Sequence, residues 1–162
     1  MEKSRLMIAV KLLFAVVLCQ GAGFVGSIFT VPSIPVWYAT ISKPFFTPPD
    51  WLFAPVWTLL YLMMAVALFI VWLHNDKKEA VNKATVWFMI QLFFNVAWSI
   101  AFFYFQSPFL ALIIIFALMA SIIITTINFL RISKWSGLLL FPYIAWVSFA
   151  SVLNLAIWWL NR

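Results

Sequence analysis

Five runs of roughly 20 or more mostly apolar residues constrain this chain more than any other feature. They cover residues 6–29, 51–73, 84–105, 108–130 and 135–160. A helix needs about 20 apolar residues to cross a bilayer. Backbone amides in hydrocarbon meet no water and must pair within their own segment, so each run is expected to be a helix. The expected fold is an all-α integral membrane protein, one domain over residues 1–162, built as a bundle of five transmembrane helices. Composition agrees: 67% of residues are hydrophobic and 9% charged, against about 45–50% and about 25% in soluble domains. The first run is too long for a signal-peptide core of about 7–15 residues and is kept as a span.

The link between the first two runs is the least ordinary segment. Five of the eight prolines, Pro32, Pro35, Pro44, Pro48 and Pro49, lie within it or just before it, and Trp37, Tyr38, Phe45, Phe46 and Trp51 punctuate it. Long connections in compact domains are uncommon unless functional. Proline fixes φ and biases its predecessor toward extended backbone, so this loop is expected to be stiff. A stiff aromatic loop at a membrane surface reads as a lid over an apolar pocket. The other links are shorter: the charged stretch 75–83, a tight Gln106-Ser107 turn before Pro108, and 131–134. Pro142, inside the fifth run, is expected to kink that helix and free the Leu138 carbonyl.

Charge sets the expected orientation. Lys3, Arg5, Lys11, Lys77, Lys78, Lys83, Arg131 and Lys134 would share one side, and only Lys43 and Arg162 the other. That bias places the N-terminus in the cytoplasm and the Pro/Trp loop outside. It also accounts for the net charge of +6 without nucleic acid as a partner. Lys11, a turn inside the first run, would snorkel back to the interface. No Asp or Glu lies well inside a run, which argues against a pump or an ion-coupled carrier. The single histidine, His74, sits at a span end, and neither a metal site nor a Ser-His-Asp arrangement can be assembled around it. The one cysteine, Cys19, precludes a disulfide within the chain.

Polar residues inside the runs are few. Gln91, Asn95 and Ser99 recur at i, i+4 and i+8 and form one stripe of the third helix, with Trp98 beside it. Two readings stand: hydrogen bonding between helices or the lining of a ligand cavity. Most tryptophans sit at span ends as interface anchors, but Trp146 is mid-span and Trp57, paired with Tyr61 at i, i+4, is partly so. Two indole faces near a polar stripe suit a large flat ligand with a few polar groups. Gly21, Gly23 and Gly26 give the first helix a small-residue face for close packing, or for dimerisation.

In order along the chain stand Trp37-Tyr38, Lys43-Pro44, Pro48-Pro49, Trp51, Pro55-x-Trp57 with Tyr61, Asn95-Val96-Ala97-Trp98-Ser99 with Phe102-Phe103, and Pro142-Tyr143-Ile144-Ala145-Trp146 running to Leu153-Asn154. In these elements the chain resembles the tryptophan-rich sensory protein / translocator protein family, once called peripheral-type benzodiazepine receptors. The resemblance implies a five-helix bundle, often homodimeric, whose pocket is capped by the first loop. It implies a receptor or sensor in the membrane that binds porphyrins (protoporphyrin IX, haem) and synthetic benzodiazepine-type ligands, with no permanently bound cofactor. It further implies light-dependent breakdown of protoporphyrin carried by Trp57 and Trp146. Matched by position, the ligand-binding residues would be Tyr38, Pro48, Trp57, Tyr61, Asn95, Trp98, Ser99, Trp146, Ala150 and Leu153. The Tyr-plus-basic element read as a sterol motif in animal members is replaced here by Leu155-Ala156. The alternative functions are a carrier of porphyrins or lipids and a membrane assembly subunit.

Overall fold

The computed structural model describes residues 2–162, and among them every regular element is helical. The Lys3 side chain, counted above among the basic residues, lies outside the described set. Five helices are long and apolar enough to cross a membrane. They are α1 (Glu2–Ser33) with a π-helical turn Ile34–Tyr38, α2 (Phe53–Trp72), α3 (Lys78–Ser99) with a second π-helical turn Ile100–Tyr104, α4 (Pro108–Ile132), and a broken fifth segment. That last segment consists of α5 (Lys134–Leu138) and α6 (Phe141–Leu160). The chain is therefore a multi-pass membrane protein.

Two helices run past the limits that hydropathy draws. The first continues from residue 29 to Tyr38, so Pro32 and Pro35 belong to a helix end and not to the loop. A proline in a helix deletes one hydrogen bond and crowds the preceding turn. Winding the end as a π turn accommodates this locally, as membrane helices commonly do. The consequence is functional: Trp37 and Tyr38 ride on the helix, and Tyr38 is turned inward and buried. The third helix starts at Lys78 and not near residue 84. Its first turns carry Glu79, Asn82 and Lys83, which hydropathy cannot score as membrane although the helix is already formed. At the fifth span Pro142 does break the helix, but by standing in the first turn of α6, where its missing N–H is harmless.

The helix α4 is the centre of the bundle. Ala111, Ile115, Leu118, Ile122, Thr125, Phe129 and Ile132 are buried at alternating four- and three-residue spacing, the stripe that lets a helix pack along its neighbours. It packs along α3 on one side and α6 on the other, while α1 lies against α2 and α3. Ser107 caps α4 by accepting from the Leu110 N–H, with Pro108 in its first turn, and Gln106 makes the preceding turn at a left-handed φ of 51°. Lysines close helix C-termini at the basic end: the Lys11 ammonium donates to the Trp72 carbonyl at 2.7 Å and Lys77 to that of Ile132 at 3.3 Å. Cations are favoured at these carbonyl-rich ends. On α1 close approach is enforced by glycine at two places. A Cβ on Gly23 would fall 2.6 Å from the Tyr61 ring, and one on Gly26 3.2 Å from Ser99 Oγ. Gly21, expected on the same face, meets nothing within 4 Å.

Candidate functional site

Between α2 and α6 the gap is filled by rings. Phe53 packs edge-on to Trp146 at 6.3 Å, and Trp57 likewise to Tyr143 at 6.3 Å. Trp98 stacks on Phe102 at 5.6 Å and lies 6.5 Å from Trp57. These aromatics partition the interior into two cavities that share Phe53, Trp57, Trp98 and Phe103 as a common wall.

The inner cavity is small, about 20 Å³, and is lined by Tyr38, Trp57, Trp98, Trp146, Ala150 and Leu153 together with Phe102, Asn154 and Ile157. Two of its polar atoms are buried without a partner, the Tyr38 hydroxyl and the Trp146 indole N–H. An unpaired buried polar group costs about 1–3 kcal/mol, so a pocket that keeps two of them is poised for a ligand that pairs them.

The second cavity is a lateral groove of about 350 Å³ between α1, α2 and α3. Tyr61, Asn95 and Ser99 line it along with Trp57 and Trp98. Phe24, Val31, Ala54 and Thr58 are exposed along its length, so it opens toward the lipid between α1 and α2. The position-matched residues are thus divided: six line the inner cavity, and Tyr61, Asn95 and Ser99 line only the groove. Pro48 lines neither. A shallow apolar depression on the outer face of α3 around Met89 and Phe93 offers no polar group at all.

Both readings of the polar stripe hold, for different members. Asn95 lines the groove, yet its side chain is held from both ends: Tyr61 donates its hydroxyl proton to the Asn95 carbonyl oxygen, and the Asn95 amide donates to Tyr143 Oη at 2.8 Å. The Tyr143 hydroxyl in turn donates a hydrogen bond to Gln91 Oε1 at 2.9 Å. This chain ties α2, α3 and α6 together across the bundle. Gln91 is buried, lines neither cavity and serves in hydrogen bonding between helices. The Trp98 indole donates to Asn154 at 3.0 Å, and Asn154 in turn holds the Pro108 carbonyl at 2.8 Å.

Residues 39–49 lead from Tyr38 to contacts on α6 and contribute no residue to the lining of the inner cavity. The Lys43 ammonium donates to the Tyr38 carbonyl at 2.8 Å and sits 4.3 Å from the centre of the Tyr38 ring. Phe46 meets Phe149 of α6 at 6.3 Å. The far end is pinned by a reciprocal pair: Ser42 N–H donates to Asn161 Oδ1 and the Asn161 amide donates to the Ser42 carbonyl, each at 2.9 Å. Removing this clasp with Asn161→Ala is expected to speed hydrogen exchange at the Ser42 amide about thirtyfold, from two bonds of about 1 kcal/mol each. An unchanged Ser42 rate would show that the lid is held by its other contacts.

Sequence reasoning missed several lining residues. Phe53 and Phe103 form the shared wall, and Gln20, Ser27 and Thr30 join Gly23 and Gly26 on the groove side of α1. Their three-to-four residue spacing was the available signal. Gln20 holds the Thr58 carbonyl at 3.2 Å at the deep end of the groove, and Asp50 stands at its other end.

The fold and site together define a class: small multi-pass membrane proteins whose helices enclose an aromatic pocket. Residues 15–160 match the model of the TspO/MBR family. The chain is 45% identical over 151 residues to the tryptophan-rich protein TspO of Archaeoglobus fulgidus, covering 93% of this chain and 97% of that one. It is 49% identical over 144 residues to the TspO protein of Chlorobaculum tepidum, covering 89% and 91%. Identity to the human translocator protein is 34% over 137 residues, covering 83% and 80%. The chain belongs to the TspO/MBR family.

Proposed function

We propose that this protein is a membrane receptor for porphyrins, protoporphyrin IX and haem among them, and for similar flat, largely apolar ligands, held in the inner cavity beneath the 39–49 lid. The observation that carries the reading is the pair of unpartnered buried polar atoms, Tyr38 Oη and Trp146 Nε1, in a cavity otherwise walled by rings. A macrocycle offers π faces to the rings and polar edge groups to those two atoms. Binding requires the loop to release Asn161 and the rings to part, because the cavity holds only about 20 Å³. Lys43 and Arg162, the two cations at the lid end, would receive the carboxylates of such a ligand.

Trp57 and Trp146 are proposed to promote light-dependent oxidation of bound protoporphyrin, with dissolved dioxygen as oxidant. Titration with protoporphyrin in the dark and under light tests this. Trp57→Phe and Trp146→Phe keep a ring for stacking, worth roughly 1–3 kcal/mol per flat group, so affinity should fall less than about tenfold. The light-driven spectral change should be lost. If both variants keep affinity and photochemistry intact, the assignment of the two indoles is wrong.

A second reading, carriage of porphyrins or lipids, is favoured by one observation: the inner cavity and the lipid-facing groove share a wall of side chains, Trp57 and Trp98, that could part without moving backbone. Ligand flux in sealed vesicles decides between them, since a receptor binds without moving its ligand across the bilayer.

A further inference from the structure

At the end of the bundle away from the pocket, α4 turns into α5 through a corner held by its own hydrogen bonds. The Ser133 N–H donates to the Phe129 carbonyl at 2.8 Å. The buried Ser136 hydroxyl donates to the Ser133 carbonyl at 2.8 Å, with that of Phe129 3.1 Å away. The Ile132 carbonyl receives the Lys77 ammonium. A Cβ on Gly137 would collide with the Leu130 side chain, so α5 folds back tightly on α4. The corner is rigid, and these carbonyls at the end of α4 already have donors.

Arg131, in the last turn of α4, and Lys134, at the start of α5, take no part in that capping. Both are exposed, and so is Trp135 beside them. Among the described residues none of the three has a side-chain hydrogen bond, ion pair or ring contact. Lys77, on the carbonyl between Arg131 and Ser133, brings a third cation to the corner. The carbonyl end of a helix counts as about half a negative charge, so a surplus of more than two positive charges remains. The acids of the neighbouring link do not cancel it, since Asp76 and Glu79 are matched in number by Lys78 and Lys83. The outer stripe of α4 that ends here is apolar. Ile123, Ile127 and Leu130 are exposed, and Arg131 follows Ile123 and Ile127 at four-residue steps, so charge and apolar track share one face. A free phosphate or a nucleic acid has no use for that track. A negative headgroup joined to an acyl chain uses both.

We propose that the α4–α5 corner is a binding site for an anionic phospholipid. The phosphate pairs with Arg131 and Lys134 in the positive field that Lys77 completes, and an acyl chain runs along Ile127 and Ile123. Trp135 stands at the glycerol level, the usual depth of an interfacial indole. The site shares no residue with either cavity and does not depend on porphyrin binding.

The test titrates the full chain in detergent with dioleoylphosphatidylglycerol, dioleoylphosphatidylcholine and glycerol 3-phosphate, counting bound molecules by native mass spectrometry. Phosphatidylglycerol is expected to bind at lower concentration than phosphatidylcholine, which has the same chains, and glycerol 3-phosphate not at all in that range. Arg131→Gln with Lys134→Gln should weaken phosphatidylglycerol about twenty-five-fold, from about fivefold per cation, and leave phosphatidylcholine unchanged. Lys78→Gln with Lys83→Gln removes as much charge from the same end and should cost less than about threefold. In bilayers, brominated phosphatidylglycerol should quench the unaltered chain more than brominated phosphatidylcholine does, and Trp135→Phe should abolish the difference, a readout that needs no charge variant to fold. Equal binding of the two lipids overturns the proposal. Equal losses from the two double variants overturn it too, because the charge then acts as a diffuse field. Displacement of the lipid by glycerol 3-phosphate would make the occupant a soluble anion, and a dimer that takes up no phosphatidylglycerol would give the corner to a second copy of the chain; either result also overturns it.

Discussion

Gly23→Val is expected to destabilise the folded protein by roughly 3 kcal/mol, read by reversible SDS unfolding. The argument starts from the position a Cβ would take, 2.6 Å from both Cδ2 and Cε2 of Tyr61. A flexible side chain could step aside, but Tyr61 is buried and its hydroxyl is bound to Asn95. Either α1 lifts away from α2, or Tyr61 tilts and releases Asn95. Overpacking of this kind costs about 1–3 kcal/mol, and the lost interhelical hydrogen bond adds about 0.6–1.7 kcal/mol in a membrane. Gly21→Ala, two residues away, meets open space. It should be neutral or stabilising by up to about 1 kcal/mol, since Ala is the better helix former. If the two substitutions cost the same, the close approach of α1 to α2 is not what holds this face together.

Tyr143→Phe should cost roughly 2–3 kcal/mol while removing a single oxygen. That oxygen accepts from the Asn95 amide and donates to the Gln91 carbonyl, and Tyr143 is buried. The substitution leaves two buried polar groups unpaired, each worth about 1–3 kcal/mol. Membrane helices recover part of this by finding other partners, which sets the figure toward the lower end. Tyr61→Phe removes a donor from Asn95 Oδ1 only, so it should cost about half as much. A double-mutant cycle between Tyr61 and Tyr143 should show coupling, because both act through Asn95. Strict additivity would mean that Asn95 is not the link between them.

The two predictions explain where sequence reasoning succeeded. The number of spans, the tight turn at Gln106-Ser107, the start of α4 at Pro108 and the break at Pro142 are local properties, each set by hydropathy or by proline chemistry. The first helix outran its expected end because proline was read as a loop former. In a bilayer an unpaired amide is costly enough that the chain rewinds as a π turn and stays helical. That carried Tyr38 from a presumed lid onto a helix, facing the inner cavity.

The site was legible in part. Tyr38, Trp57, Trp98, Trp146, Ala150 and Leu153 do converge on one cavity, from four helices. Pro48 is apart from it, since the lid reaches α6 through Phe46 and Ser42 instead.

By itself, then, the sequence determined a five-span helical membrane protein with a proline-rich first loop, two indoles within the spans, and a polar stripe on the third helix. All of these follow from composition and periodicity along one chain. Only the tertiary structure decided that Asn95 is shared between two tyrosines, that Gln91 hydrogen-bonds between helices and lines neither cavity, and that one aromatic wall separates a small pocket from a larger groove. Those outcomes depend on how far each helix is rotated about its axis and how closely glycine lets its neighbour come. Such quantities arise between helices, and no single helix encodes them.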